Sequence, residues 1–139
     1  MSETDDLIAL LTAPGTTLSR TISAVNALEK LTEPQRRVRI GVSSNVSVDL
    51  LSVFLRKYAL LSGATADVCM GNHDDPLTDV DQFTQADVEQ MVFLPFFDNL
   101  LPAFELQLEL LEPEIVAAKE ANLRARYRLV FEKARKMRQ

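Results

Sequence analysis

RVRIGVSSNVSVDLLSVFLRKYALLSGATADVCM, residues 37–70, is the stretch whose reading decides the fold. Its first six residues, Arg37 to Val42, are a short run rich in β-branched side chains and read as a strand. The polar bend Ser43-Ser44-Asn45 follows, and Ser47 or Asp49 supplies a helix cap. From there to Leu61 the residues Leu50, Leu51, Phe54, Leu55, Tyr58 and Leu61 recur at helical spacing, which predicts one buried face. Ser62-Gly63 closes the helix, because glycine accepts the left-handed conformation at a helix end. Ala64 to Met70 reads as a second strand. Strand, helix and strand in this order make a βαβ unit, so the expected class is α/β with a parallel sheet.

Upstream, Thr4 to Thr12 is helical and stops at the breaker Ala13-Pro14-Gly15. Thr16 or Thr17 caps a second helix carrying Leu18, Ile22, Val25, Leu28 and Leu31, which Glu33-Pro34 ends. Downstream, Gly71 to Gln85 reads as an acidic loop with at most one helical turn. Val88 to Phe97 is a third strand, apolar enough to be covered on both faces, with Pro95 near its end. Asp98-Asn99 follows, then a Leu-rich helix from about Leu101 to Leu111. Glu112-Pro113 opens a long helix to the C-terminus. Its residues Leu123, Tyr127, Val130, Ala134 and Met137 are spaced 4, 3, 4, 3, a seam suited to another helix or domain. Three segments result: N-terminal helices over 1–35, an α/β core over 36–111, and a helix over 112–139 leading to a missing or partner domain, or pairing with another copy.

The totals fit one globular domain: 139 residues, 47% hydrophobic and 25% charged. No run approaches the 18 or more apolar residues of a membrane span, and MSETDDLIALL is acidic where a signal peptide is basic. Cys69 is the single cysteine, so neither an intramolecular disulfide nor a thiolate zinc cluster is available, and a cytoplasmic location is expected. The net charge of −5 conceals an asymmetry. A dozen Asp and Glu and no Lys or Arg lie between Lys57 and Lys119, whereas Ile115 to Gln139 holds eight Lys or Arg against Glu120 and Glu132. The acidic middle argues against nucleic acid as a partner. The basic end is a solvated helix face or an attractor for an acidic partner.

Three strings invite a catalytic reading. Gly71-Asn72-His73-Asp74 has the form of a metallophosphoesterase motif, but such two-metal sites need several histidines and His73 is the only one. Asp79-Val80-Asp81-Gln82-Phe83-Thr84 has the spacing of a haloacid-dehalogenase nucleophile loop. Asp75-Pro76-Leu77-Thr78 before it is no strand, and Phe83 stands where Thr or Val belongs. Ser44-Asn45-Val46 occupies the turn where an SGNH esterase carries Gly-Asp-Ser, and valine is no nucleophile. No catalytic residue, metal or cofactor is therefore expected. The end of the third strand should bring Asp98 and Asn99 to the same rim as Ser44, Asn45 and Ser47. Those five form a candidate ligand-binding rim, unless the asparagines simply satisfy backbone groups in the turns. Cys69, within a strand, reads as a core residue.

The run Arg37 to Leu51, with Asn45, Ser47, Asp49 and Leu51 followed by Leu55-Arg56, resembles the N-terminal domain of FkbH-like proteins of the haloacid-dehalogenase superfamily. Ser44 replaces that family's usual glycine and Val46 its aromatic residue. The strand ending Met70-Gly71, the acidic stretch with Gln82-Phe83 and the apolar strand ending at Asp98 follow in the same order, so the resemblance spans about Glu29 to Leu111. It implies a small three-layer, flavodoxin-like or SGNH-like parallel sheet with flanking helices and a long C-terminal helix. It further implies an auxiliary domain of a polyketide-pathway enzyme that moves a glyceryl group from 1,3-bisphosphoglycerate to an acyl carrier protein. The catalytic dehalogenase-type domain would then be supplied in cis or in trans. A degenerate SGNH-type hydrolase of small esters and a stand-alone module forming a homodimer are the alternatives.

Overall fold

The computed structural model describes residues 2–33 and 35–137. The fold is mixed α/β: a three-stranded parallel sheet, flanking helices and a long C-terminal helix. The strands are β1 (Arg36–Ser44), β2 (Ala64–Met70) and β3 (Gln90–Leu94), in the order β2-β1-β3. β1 is central, and the order reverses between β1 and β3. In doubly wound sheets such a reversal places the ligand crevice beyond the carboxyl ends of those two strands. The chain divides into two units: Met1–Ile40 with Val48–Cys69, and Gly41–Ser47 with Met70–Gln139.

In the first unit, α1 (Glu3–Thr12) begins with a capping box. Ser2 Oγ accepts the Asp5 N–H at 3.2 Å, and the Asp5 carboxylate takes the Ser2 N–H at 3.0 Å. The Ser2 N–H and the Ser2 hydroxyl, which donates to the same carboxylate oxygen at 2.8 Å, hold the Asp5 carboxyl below its ordinary value of 3.8. Thr17 caps α2 (Leu18–Leu31). Leu11, Ala24, Val25 and Leu28 are buried with Val53 and Leu60 of α3 (Leu51–Leu61), a cluster in which each large aliphatic contributes about 1.5–3 kcal/mol. Pro34, expected to end α2, lies outside the described residues.

The buried face of α3 differs from the expected one: Val53 and Leu60 are inside, while Leu50, Phe54 and Tyr58 are 53%, 38% and 61% exposed. The helix is apolar nearly all round, so periodicity alone does not choose a face. On the buried side, Val53 and Leu60 pack into the core cluster, and Arg56 donates through Nε and Nη2 to the two carboxylate oxygens of Glu29 on α2 at 2.8 and 2.6 Å. That hydrogen-bonded pairing raises the Arg56 pKa above its ordinary value. Neither Ser47 nor Asp49 caps α3: its N-cap is Leu50, with no side-chain bond. Gly63, after the helix, has φ +79°, as the Ser62-Gly63 stop requires. Across β1 and β2, Arg37 pairs with Asp67 at 2.9 Å on the exposed surface.

In the second unit the acidic stretch expected to be a loop is a ten-residue helix, α4 (Pro76–Gln85). Asp75 caps it, proline occupies its first turn, and Pro76, Asp79, Val80 and Phe83 form its buried stripe. Its apolar side chains are too few to stand out in composition, because one position of the stripe is a carboxylate. Two glycines admit this helix to the strand ends. A Cβ on Gly41 would lie 2.6 Å from the Phe83 ring, and one on Gly71 would collide with the Asp79 carboxylate.

β3 is shorter than the apolar run predicts, and Pro95 falls just past its end. Asp98 and Asn99 lie in a four-residue helix, α5 (Phe97–Leu100). The Leu-rich helix expected over 101–111 does not form. Instead Ala103 adopts a left-handed φ of 56°, then come a short α6 (Phe104–Gln107) and a 3-10 turn (Leu108–Leu110). Leu106 and Leu110 are 83% and 84% exposed. The long helix α7 (Pro113–Lys136) packs against α4. Within the predicted seam Val130 is fully buried, Leu123, Tyr127 and Ala134 are half-buried, and Met137 is exposed. Lys133 reaches Asp81 at 2.6 Å, and Phe131 meets Phe93 edge-on at 5.6 Å between ring centres.

Candidate functional site

The switch-point crevice lies within the second unit, where β1 runs out at Ser43-Ser44 into Asn45 and β3 at Leu94 into Pro95-Phe96. Ser44 Oγ donates to the Leu94 carbonyl at 3.0 Å and accepts the Val46 N–H at 3.2 Å. Asn45, only 2% exposed, grips the Phe96 backbone at both ends of its amide. Its Nδ2 donates to the Phe96 carbonyl at 3.0 Å, and its Oδ1 accepts the Phe96 N–H at 2.8 Å. Asn99 Nδ2 donates in turn to the Asn45 carbonyl at 2.7 Å. Three of the five rim residues thus converge, and they converge on one another and on the backbone. Ser47 and Asp98 are exposed to solvent.

Behind this rim sits a polar group that periodicity does not reveal. Asp79, fully buried, accepts the Ser43 hydroxyl at 2.6 Å and the Asn72 N–H at 2.6 Å. A buried carboxyl is costly unless such donors meet it. Asp79 thereby ties α4 to β1 and to the turn after β2. The string Gly71-Asn72 is explained by the same contact, since glycine makes room for the carboxylate and the next N–H binds it. Its signals in the sequence are the cap-and-proline pair Asp75-Pro76 and the helical spacing of Pro76, Val80 and Phe83.

The turn closes over the end of β1. Asp74 has a left-handed φ of 54°, and its N–H donates to the Ser44 carbonyl at 3.1 Å. Arg126 of α7 donates to Asp74 Oδ1 at 3.0 Å and to its carbonyl at 3.3 Å. Beside it, burial pushes the Tyr127 phenol up, with Arg126 opposing and Asp74 adding to the shift. Ser43, Ser44, Asn45, Asp74, Phe93 and Tyr127 are among the residues enclosing the remaining cavity, of about 10 Å³. That is room for one water at most. His73 is exposed, and among the described residues no group of three His, Cys, Asp or Glu side chains is placed to hold a metal ion. Nor, among those residues, is any helix long and apolar enough to cross a membrane.

No protein-family model, curated protein or solved structure matches the chain.

Proposed function

We propose that the chain is an auxiliary domain of the FkbH-like kind. It acts in the cytoplasm beside a haloacid-dehalogenase-type catalytic partner that transfers a glyceryl group from 1,3-bisphosphoglycerate to an acyl carrier protein in polyketide assembly. The observation that carries this reading is Asn45: both ends of its amide are engaged with Phe96, at the position where an α/β enzyme of this strand order presents polar groups to a ligand. The crevice it helps fill leaves about 10 Å³, far below the several hundred Å³ of a small-molecule site. A domain whose strand-end polar groups are internally satisfied supports a neighbour rather than converting a substrate itself.

The test is reconstitution. A dehalogenase-type glyceryltransferase stripped of its own N-terminal domain is incubated with carrier protein and 1,3-bisphosphoglycerate, with and without this chain. Intact-mass analysis of the carrier then reports loading. Faster loading in the presence of the chain supports the proposal. Equal loading rejects it, as does hydrolysis of short p-nitrophenyl esters by the chain alone that Ser43→Ala or Ser47→Ala abolishes.

A further inference from the structure

β3 is an edge strand. Among the described residues it pairs with β1 on one side only, and its sequence, QMVFL, carries no charge or proline to blunt the other. Along it runs an open groove of about 540 Å³ lined by Met91, Val92, Phe93, Phe131, Ala134 and Arg135. An uncharged edge beside apolar side chains is a template for one further strand.

The same unit holds a segment with strand periodicity that is not a strand. Glu105-Leu106-Gln107-Leu108-Glu109-Leu110 alternates polar and apolar at every residue. That is the pattern of a half-buried strand, not of a helix. In the structure it is spent on a single helical turn and a 3-10 turn, with Leu106, Leu108 and Leu110 at 83%, 46% and 84% exposure. Helices this short are marginal, so little opposes their conversion to an extended strand.

Reach decides which β3 this segment meets. α7 runs antiparallel to β3: Tyr127 lies by Leu94 and Pro95, Phe131 by Phe93, and Ala134 and Arg135 by Gln90 and Met91. The helix therefore continues from Tyr127 back to Pro113 beyond the carboxyl end of β3, by about 20 Å at 1.5 Å per residue. The three residues from Leu110 to Pro113 span at most about 10 Å. With α7 in place, the segment cannot lie along its own β3. Its start is held just past the carboxyl end of β3, where Phe104 meets Phe97 edge-on at 5.7 Å between ring centres, and from there it forms an arm.

We propose that Glu105–Leu110 of one copy adds as a fourth strand to the β3 edge of a second copy, reciprocally, making a twofold dimer. Leu106, Leu108 and Leu110 enter the groove beside Phe131 and Ala134. Charge favours the exchange. The arm region holds Asp98, Glu105, Glu109, Glu112 and Glu114 without a cation, whereas the last turn of α7 holds Arg135 in the groove lining and Lys136 next to it, with Lys133 paired to Asp81. Docking brings these opposite charges within about a Debye length, ~10 Å at 0.1 M salt. The proposal is independent of the catalytic partner suggested above.

Sedimentation velocity at micromolar concentration tests it. The chain is expected at twice its 15.6 kDa mass, and Leu106→Glu/Leu110→Glu, which alters only exposed side chains, at the monomer mass. In a Cys69→Ser background, a Met91→Cys chain, whose cysteine shares the Phe93 face of the sheet, mixed with a Leu108→Cys chain should form a disulfide between the two. A monomeric wild type, a dimer unaffected by the two glutamates, or no cross-link in a dimeric mixture overturns the proposal.

Discussion

Asp79→Ala is the most informative single substitution. Asp79 is fully buried, with Ser43 Oγ and the Asn72 N–H each 2.6 Å from its carboxylate. Removing the carboxyl leaves the buried Ser43 hydroxyl without an acceptor, at about 1–3 kcal/mol, and takes the acceptor from the part-exposed Asn72 N–H, at about 0.5–1.5 kcal/mol. The expected loss is therefore about 1.5–4.5 kcal/mol, and at about 3–4 °C per kcal/mol for a chain of this size the melting temperature falls by about 5–18 °C. Ser43→Ala alone is expected to cost about 1–2 kcal/mol, since one bond goes and the Asn72 bond remains. Because the two residues share that bond, the double variant should be less destabilised than the sum of the singles, by about 1–2 kcal/mol. Urea unfolding followed by far-ultraviolet circular dichroism measures all four proteins. The same geometry predicts a rescue: Gly71→Ala collides with the carboxylate in the native chain but fits in the Asp79→Ala background. Additive single effects, an Asp79→Ala loss below about 1 kcal/mol, or a Gly71→Ala penalty unchanged by Asp79→Ala would refute the reasoning.

Gly41→Ala places a methyl 2.6 Å from the fully buried Phe83 ring, so a loss of about 1–3 kcal/mol is expected in thermal unfolding. Thr65→Val removes a buried hydroxyl that has no hydrogen-bond partner, and should leave the melting temperature unchanged or raised by a few degrees, about 1 kcal/mol. The Tyr127 phenol is raised by burial above its ordinary value of 10.0. Above that pH the unfolded chain releases the proton more readily than the folded one. Stability should therefore fall as pH climbs past about 10, and the Tyr127→Phe variant should show a shallower fall in urea midpoint over that range. Asn45→Ala frees the Phe96 backbone N–H and carbonyl, and faster amide exchange at Phe96 by nuclear magnetic resonance is the expected readout.

The βαβ unit was legible because its signals are local: β-branched residues in β1, glycine after α3, and β2 running from Ala64 to Met70 as its pattern predicts. α4 was hidden because its buried stripe includes Asp79, and a carboxylate reads as solvent-facing until its donors are known. The face of α3 was hidden for the opposite reason, since apolar residues surround it and the Arg56–Glu29 pairing is a contact 27 positions apart. At 101–111 leucine content suggested a helix, whereas the alternation from Glu105 to Leu110 gives a helix no single face to bury. Ser44, Asn45 and Asn99 were expected near one rim, and the structure brings those three together. Their engagement with the backbone depends on where Phe96 turns, which no local pattern encodes.

The two outer strands of the sheet are unlike. β2 carries Asp67, paired with Arg37 of the neighbouring β1 on the exposed surface, whereas β3 carries no charged residue. Once two such unguarded borders are satisfied reciprocally, no border of that kind is left over, so association through them is self-limiting and a filament has no way to propagate.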